Sequence, residues 1–108
     1  MARGNNDNTA VIAASGTNST SINVTGRAFG TFQTPAALTS TSFTFQGQVG
    51  ESGTWATIKD DTGTALSVTV AASGVYRIPD GCFGCGALRI VAGSAEAAER
   101  TIYVELMS

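Results

Sequence analysis

The chain contains no histidine, few charged residues and no long apolar run. Without histidine, the usual general base for a serine or cysteine nucleophile is missing. The net charge is -2 and the cations are scattered along the chain, so nothing resembles the basic stripe that binds nucleic acid. No segment approaches the roughly 20 apolar residues that span a bilayer. We therefore expect no enzymatic activity, no nucleic-acid partner and no membrane partner.

The shortage of charge also bears on how the surface is used. Charged residues make up 13% of the 108 residues, against about 25% in an ordinary soluble domain. Serine, threonine, asparagine and glutamine supply the polar balance instead. A neutral, hydrogen-bonding surface suits a protein that is covered by other protein, since a freely diffusing monomer usually keeps more charge. The composition favours a subunit of an assembly, with one modest core.

Cysteine is almost absent, and its two copies form the C-x-x-C pair Cys82 and Cys85. A tetrahedral zinc site needs four ligands, which the chain alone does not supply. A redox pair needs a helix N-terminus, whereas these cysteines lie in a glycine-flanked loop. We expect small buried thiols, with a local disulfide and an intermolecular zinc site as alternatives. We predict no resident metal and no cofactor.

The one pair of adjacent carboxylates, Asp60 and Asp61, has a simple structural explanation. Thr62 and Gly63 follow it, and aspartate before glycine is typical of a tight turn. Acid-base catalysis would need two groups held together in a shielded cleft. We predict a turn here and no catalytic residue anywhere in the chain.

Short segments of alternating apolar and polar residues fill the chain from residue 42 to residue 106, each closed by a turn signal. This period of two predicts half-buried strands, and turns about every 8 to 12 residues are typical of a sandwich or barrel. Alanine and glutamate at 94–99 predict one or two helical turns. The fold expected is a small antiparallel, jelly-roll-like β-sandwich. Its six predicted strands are 43–49, 55–59, 66–70, 75–78, 87–91 and 102–106.

The first 30 residues differ in texture, being rich in asparagine, threonine, serine, glycine and alanine with only short apolar pieces. Such a segment buries too little to order by itself. We predict two regions, a polar N-terminal arm at 1–30 and a β-sandwich domain at 31–108. The arm would lie on a partner, partly by strand addition, and deletion of residues 2–25 would leave the domain folded. The arm residues predicted to contact the partner are Asn5, Asn6, Asn8, Val11 and Ile12.

Two aromatic residues complete the predicted interface. Tyr103 alternates away from Ile102 and Val104, so it should point out of the core. Trp55 either fills the core or anchors an interface, since a large aromatic side chain suits both.

The order of motifs resembles a family of small β-sandwich virion structural proteins of tailed bacteriophages. The resemblance covers about residues 30–107, and it departs from the family at Cys82 and Cys85, where the family has apolar or aromatic residues. It implies a capsid cement or decoration protein on the virion surface, bound to the major capsid protein and to further copies of itself. The motifs are SFTFQG at 42–47, GTW at 53–55, DDTGTAL at 60–66, LRIVAGSA at 88–95 and ERTI at 99–102.

An alternative from another class is an attachment module, on the tail or the head surface, that binds host carbohydrate. Aromatic side chains on an exposed β face can stack on sugars. Clustering of Trp55, Tyr76 and Tyr103 on one face would favour this alternative.

Overall fold

A computed structural model describes residues 7–50 and 52–108, and these residues form nine β-strands in two antiparallel sheets. The six strands predicted from the alternating pattern are confirmed, with shorter bounds at residues 55–59 and 66–70. No helix in these ranges is long and apolar enough to cross a membrane. The strands are β1 Asp7–Ile12, β2 Ile22–Asn23, β3 Phe29–Gln33, β4 Ser42–Gln48, β5 Ala56–Thr57, β6 Ser67–Thr69, β7 Val75–Arg77, β8 Ala87–Ala92 and β9 Arg100–Met107.

The strand order confirms the small antiparallel β-sandwich and gives it jelly-roll connectivity. Sheet A has the order β1-β9-β3-β7, and sheet B has the order β2-β8-β4-β5, with β6 also pairing with β4. Most successive strands therefore alternate between the two sheets, as in the two-sheet jelly roll. Only β4, β5 and β6 follow one another within the same sheet.

The N-terminal region is part of this sandwich, which corrects the expected division at residue 30. Strand β1 pairs with β9 along all six of its residues, β2 pairs with β8, and β3 runs across the predicted boundary. The short apolar pieces suffice because each contributes alternate side chains to a core that other strands complete. The core residues that precede residue 30 are Ala10, Ile12, Ile22 and Val24.

Aromatic contacts join the two sheets at the centre of the core. The ring of Phe32, from sheet A, lies 5.7 Å from Phe43 and 6.4 Å from Phe45, both on β4 of sheet B. Tyr76 stacks on the other side of Phe32 at 5.5 Å, and its hydroxyl accepts a hydrogen bond from the amide of Ala71. Ring pairs at these separations add to the free energy gained by burial.

Residues 94–99 form bends where helical turns were predicted, because Glu96 is drawn into the protein. Its carboxylate is buried and accepts hydrogen bonds from the amides of Thr39 and Ser40 and from Nε of Arg100, at 2.8 to 2.9 Å. Burial alone would raise the pKa of Glu96, but the hydrogen bonds from Ser40, Arg100 and Thr39 outweigh it and lower the pKa to about 2. This carboxylate fastens the β8–β9 loop to the β3–β4 loop.

Candidate assembly surface

The outer face of sheet A carries most of the large apolar side chains that the described structure exposes. Tyr103 is 61% exposed and Val75 is 68% exposed, and both pair in register with Gln33 from opposite sides. Phe29 and Met107 pair with each other nearer the end of the same face and are about two-fifths exposed. These four residues are called the apolar face below.

A charged row crosses sheet A next to the row of Tyr103 and Val75. Thr31 of β3 pairs with Glu105 of β9 on one side and with Arg77 of β7 on the other. Arg77 contacts Asp80 at 3.1 Å, and both side chains are largely exposed. Such a surface ion pair contributes little free energy, so Arg77 can exchange this partner for another.

The outer face of sheet B is different, because short polar side chains cover it. Among the described residues, the one large aromatic group on this face is Trp55. It is half-buried over the guanidinium of Arg89, which lies 4.6 Å from the ring centroid. Nε of Arg89 in turn donates a 2.7 Å hydrogen bond to Gln46. The outward polar residues of its strands include Asn23, Ser42, Thr44, Gln46, Gln48, Thr57, Ser67 and Thr69.

Strand β1 forms one edge of sheet A. The other edge strands have only two or three residues, whereas β1 has six; they are β2, β5, β6 and β7. Backbone groups of alternate residues point to the outer edge of β1. Val11 shows which ones, because its amide donates to Oγ1 of Thr20 and its carbonyl accepts from the amide of Thr20.

Thr9 therefore directs its amide and carbonyl to the same outer edge, two residues beyond the part that Thr20 covers. No strand in the described ranges pairs with this edge. We call the outer edge of β1 from Asp7 to Ala10 the open edge. Native proteins usually shorten, charge or cover such edges, because they pair readily with other chains.

The residues predicted as an interface fall in several places. Tyr103 lies on the apolar face, as expected from its alternation. Ile12 is wholly buried in the core, so its prediction as a contact residue is wrong, and the reason is that β1 belongs to sheet A. The side chain of Val11 is half-buried on the outer face of sheet A. Asn8 pairs with Val104 within the sheet.

The remaining predicted residues give no further contact surface. Trp55 lies neither in the hydrophobic core nor on the apolar face but against Arg89 on sheet B. Asn5 and Asn6 lie outside the described residues. The prediction missed Phe29, Val75 and Met107, although the alternation of 29–33 and 75–77 could have indicated that Phe29 and Val75 point outward.

The three aromatic residues that would make a sugar-binding platform do not cluster. Tyr103 is exposed on sheet A, Trp55 covers Arg89 on sheet B, and Tyr76 stacks on Phe32 beneath sheet A. The condition that would favour the carbohydrate alternative is therefore not met among these residues.

The cysteines have the character of buried thiols. Burial, followed by the neighbouring Cys85, raises the pKa of Cys82 to about 12. Cys85 is half-buried with a pKa that burial also raises, and its Sγ donates to the Cys82 carbonyl at 3.4 Å. Both thiols are free. In the described part of the chain, no three histidine, cysteine or acidic residues are grouped as metal ligands.

Asp60 stabilises the turn that was predicted for it. Oδ1 accepts hydrogen bonds from the hydroxyl of Thr62 at 2.7 Å and from the amides of Thr62 and Thr64 at 2.9 and 3.0 Å. The Thr62 hydroxyl is the main reason why the pKa of Asp60 is lowered. Oδ1 of the carboxylate thus stabilises the local turn.

The fold and surfaces described above define a small jelly-roll protein. The fold is similar to that in the crystal structure of the SPBc2 prophage-derived protein YomS, with a TM-score of 0.59. The likeness covers 94% of this chain and 95% of that chain at 14% sequence identity, and at this identity it shows a shared fold.

The sequence comparisons add no relative. No protein-family model matches the chain. No curated protein matches it either.

Proposed function

We propose that this chain is a non-enzymatic structural protein of a bacteriophage particle, a cement or decoration protein that binds the shell of the major capsid protein. The motif order supports a virion protein of tailed phages, and a prophage-derived protein has a similar fold. The observation that carries the shell contact is the open edge of β1, the longest edge strand among the described residues.

The contact would form by strand addition. An extended segment of a shell subunit would pair with the backbone of Thr9 and its neighbours, which continues sheet A beyond β1. Backbone hydrogen bonds then supply affinity and outward side chains supply specificity. Such a contact needs few charges, in keeping with a chain in which 13% of residues are charged.

Stabilisation of the shell would follow from the number of copies. A protein that binds the assembled shell, and not the separated subunits, shifts the equilibrium toward the assembled state by mass action. Each contact can be weak because the stabilisation is summed over the many copies bound to one shell.

The test substitutes proline on two matched edge strands. Thr9→Pro removes an amide that points to the open edge and leaves the pairing of β1 with β9 intact. Thr57→Pro is the control, because the amide of Ile58 bonds to Phe45 and that of Thr57 therefore points away from β4. Both variants replace an exposed edge threonine.

The measurement is co-sedimentation with purified capsid shells of the phage that encodes the chain. We expect Thr9→Pro to lower bound protein at least about tenfold, the loss of one or two backbone hydrogen bonds per copy. Thr57→Pro should bind as the wild type does. Equal binding by both variants, or no binding by the folded wild type, would overturn the proposal.

A further inference from the structure

We propose that the apolar face is covered by a second copy of this chain in a two-fold dimer. The two-fold axis is parallel to β3 and lies between the two facing sheets. This inference concerns the pairing of two copies and does not depend on the shell contact proposed above. It follows from the arrangement of outward side chains on the three strands β9, β3 and β7.

The register makes the face complementary to itself. Strand β3 lies between β9 and β7, so a two-fold axis along β3 places β9 of each copy over β7 of the other. Tyr103 and Val75 both pair with Gln33 and therefore lie in one row, at equal distances from the axis. In the dimer Tyr103 of one copy meets Val75 of the other, twice.

The charged row behaves in the same way. Glu105 and Arg77 both pair with Thr31, on opposite sides of the axis. The two-fold therefore places the Glu105 carboxylate of one copy against the Arg77 guanidinium of the other, again twice. These groups lie one strand, about 4.8 Å, from the axis, so the rotation of about 30° common between packed sheets displaces them little.

Charge complementarity favours a second copy over an unrelated apolar partner. On a face that binds apolar partners nonspecifically, the charged residues would have no symmetric arrangement. Here an acid and a base occupy equivalent positions about β3, as an isologous interface requires. The axis also leaves β1 at the two outer sides of the pair, so the open edge remains accessible in the dimer.

The face is small, so we expect a weak dimer. Three overlapping strands are about 14 Å wide, and β3 and β9 extend for about 17 and 27 Å. The footprint is then roughly 240 to 380 Å² per copy, below the ~800 Å² of a stable interface. We expect a dissociation constant in the range of about 10 to 100 μM, which copies held side by side on a larger assembly would effectively tighten.

The experiment is a charge exchange read by sedimentation equilibrium of the full chain between about 5 and 500 μM, a range that brackets the expected constant. Arg77→Glu and Glu105→Arg should each weaken the dimer about tenfold or more, because each places like charges together at two symmetric contacts. The double variant should return to within about threefold of the wild type. Lys59→Glu, which makes the same charge change as Arg77→Glu at an exposed position away from sheet A, should leave the dimer unchanged.

Three results would overturn the inference. A wild type that remains monomeric throughout the concentration range would contradict the dimer. A double variant whose association is weakened by as much as the two single changes combined would contradict the contact between Glu105 and Arg77. An equal effect of Lys59→Glu shows that net charge, and not the face, governs association. Circular dichroism of each variant confirms that the chain is folded before its association is measured.

Discussion

The outer faces of the two sheets differ in chemistry although they share the same pleated geometry. Sheet A exposes Phe29, Val75, Tyr103 and Met107. On sheet B the outward strand positions carry mainly short hydroxyl and amide side chains, and its single tryptophan is closed over Arg89. In both sheets the inward residues belong to one shared core, so the difference lies only in the outward half of each strand. Sheet A is thus suited to contact protein, and sheet B to contact water.

The first prediction concerns a deletion that removes a strand from each sheet, and we expect it to have the largest effect on stability. Deletion of residues 2–25 removes β1 from sheet A and β2 from sheet B, together with Ala10, Ile12, Ile22 and Val24 of the core. We expect an unfolded chain, since even one large-to-small change in a core costs about 2 to 5 kcal/mol. Circular dichroism and thermal melting check this. A folded product with a cooperative transition would restore the division at residue 30.

The second prediction concerns the buried carboxylate that joins the β8–β9 loop to the β3–β4 loop. Glu96→Gln keeps the size of the side chain but removes the charge that Arg100 and the amides of Thr39 and Ser40 bind. We expect a loss of about 2 to 4 kcal/mol in the free energy of unfolding by urea. Glu99→Gln, an exposed neighbour in the same loop, is the control and should change stability by less than about 0.5 kcal/mol.

Glu96 also predicts how stability depends on pH. Its pKa in the folded protein is about 2, below the ordinary value of 4.5. Its contribution is therefore present above pH 4.5 and is lost as the pH falls from 4.5 toward 2, on the order of 3 kcal/mol in total. In urea titrations over this range, Glu96→Gln should lack this part of the acid sensitivity. Parallel curves for the two proteins would contradict the assignment.

The third prediction compares one substitution on the outer face of each sheet, with self-association and stability measured for both variants. Tyr103→Thr should weaken self-association at least about tenfold, because a two-fold dimer loses two aromatic contacts of about 1 kcal/mol each. Stability should change little because the ring is exposed. Trp55→Thr should lower stability by about 1 kcal/mol through the lost contact with Arg89 and leave association unchanged. Sedimentation and urea unfolding measure the two quantities. The reverse outcome would exchange the roles of the faces.

The smallest effect is expected from Val49→Thr. Val49 is 69% exposed and lies in the β4–β5 turn, outside the apolar face. If position on sheet A matters, and exposed apolar area by itself does not, neither stability nor association should change beyond about 0.5 kcal/mol. Weaker association of this variant in sedimentation would show that the apolar residues act without regard to position.

The strands of the body could be predicted from the sequence because period-two alternation survives in each of them. The roles of β1 and β2 could not be, because the apolar segments at 10–14 and 22–24 are short and are flanked by polar residues. Only pairing with β9 and β8 makes the burial of their side chains possible. Glu96 was missed for a related reason. Its helix propensity is local, whereas its three hydrogen-bond donors include the amides of Thr39 and Ser40, more than fifty residues away along the chain.

Part of the candidate surface could also be predicted. The alternation of β9 indicated that Tyr103 points outward, but whether an outward residue belongs to a patch depends on which strands are neighbours. Phe29 and Val75 join Tyr103 only because the sheet order places β3 between β9 and β7. That order follows from the long connections of the jelly roll, which local sequence patterns do not reveal.

The most direct test of the central claim, that sheet A is the assembly side of a capsid-bound protein, is a cryo-electron microscopy reconstruction of intact particles of the phage that encodes the chain. We predict jelly-roll density on the icosahedral shell, with a shell strand beside β1 and the apolar faces of neighbouring copies in contact. Copies confined to the tail, particles without the chain, or copies that contact the shell through sheet B would contradict the account.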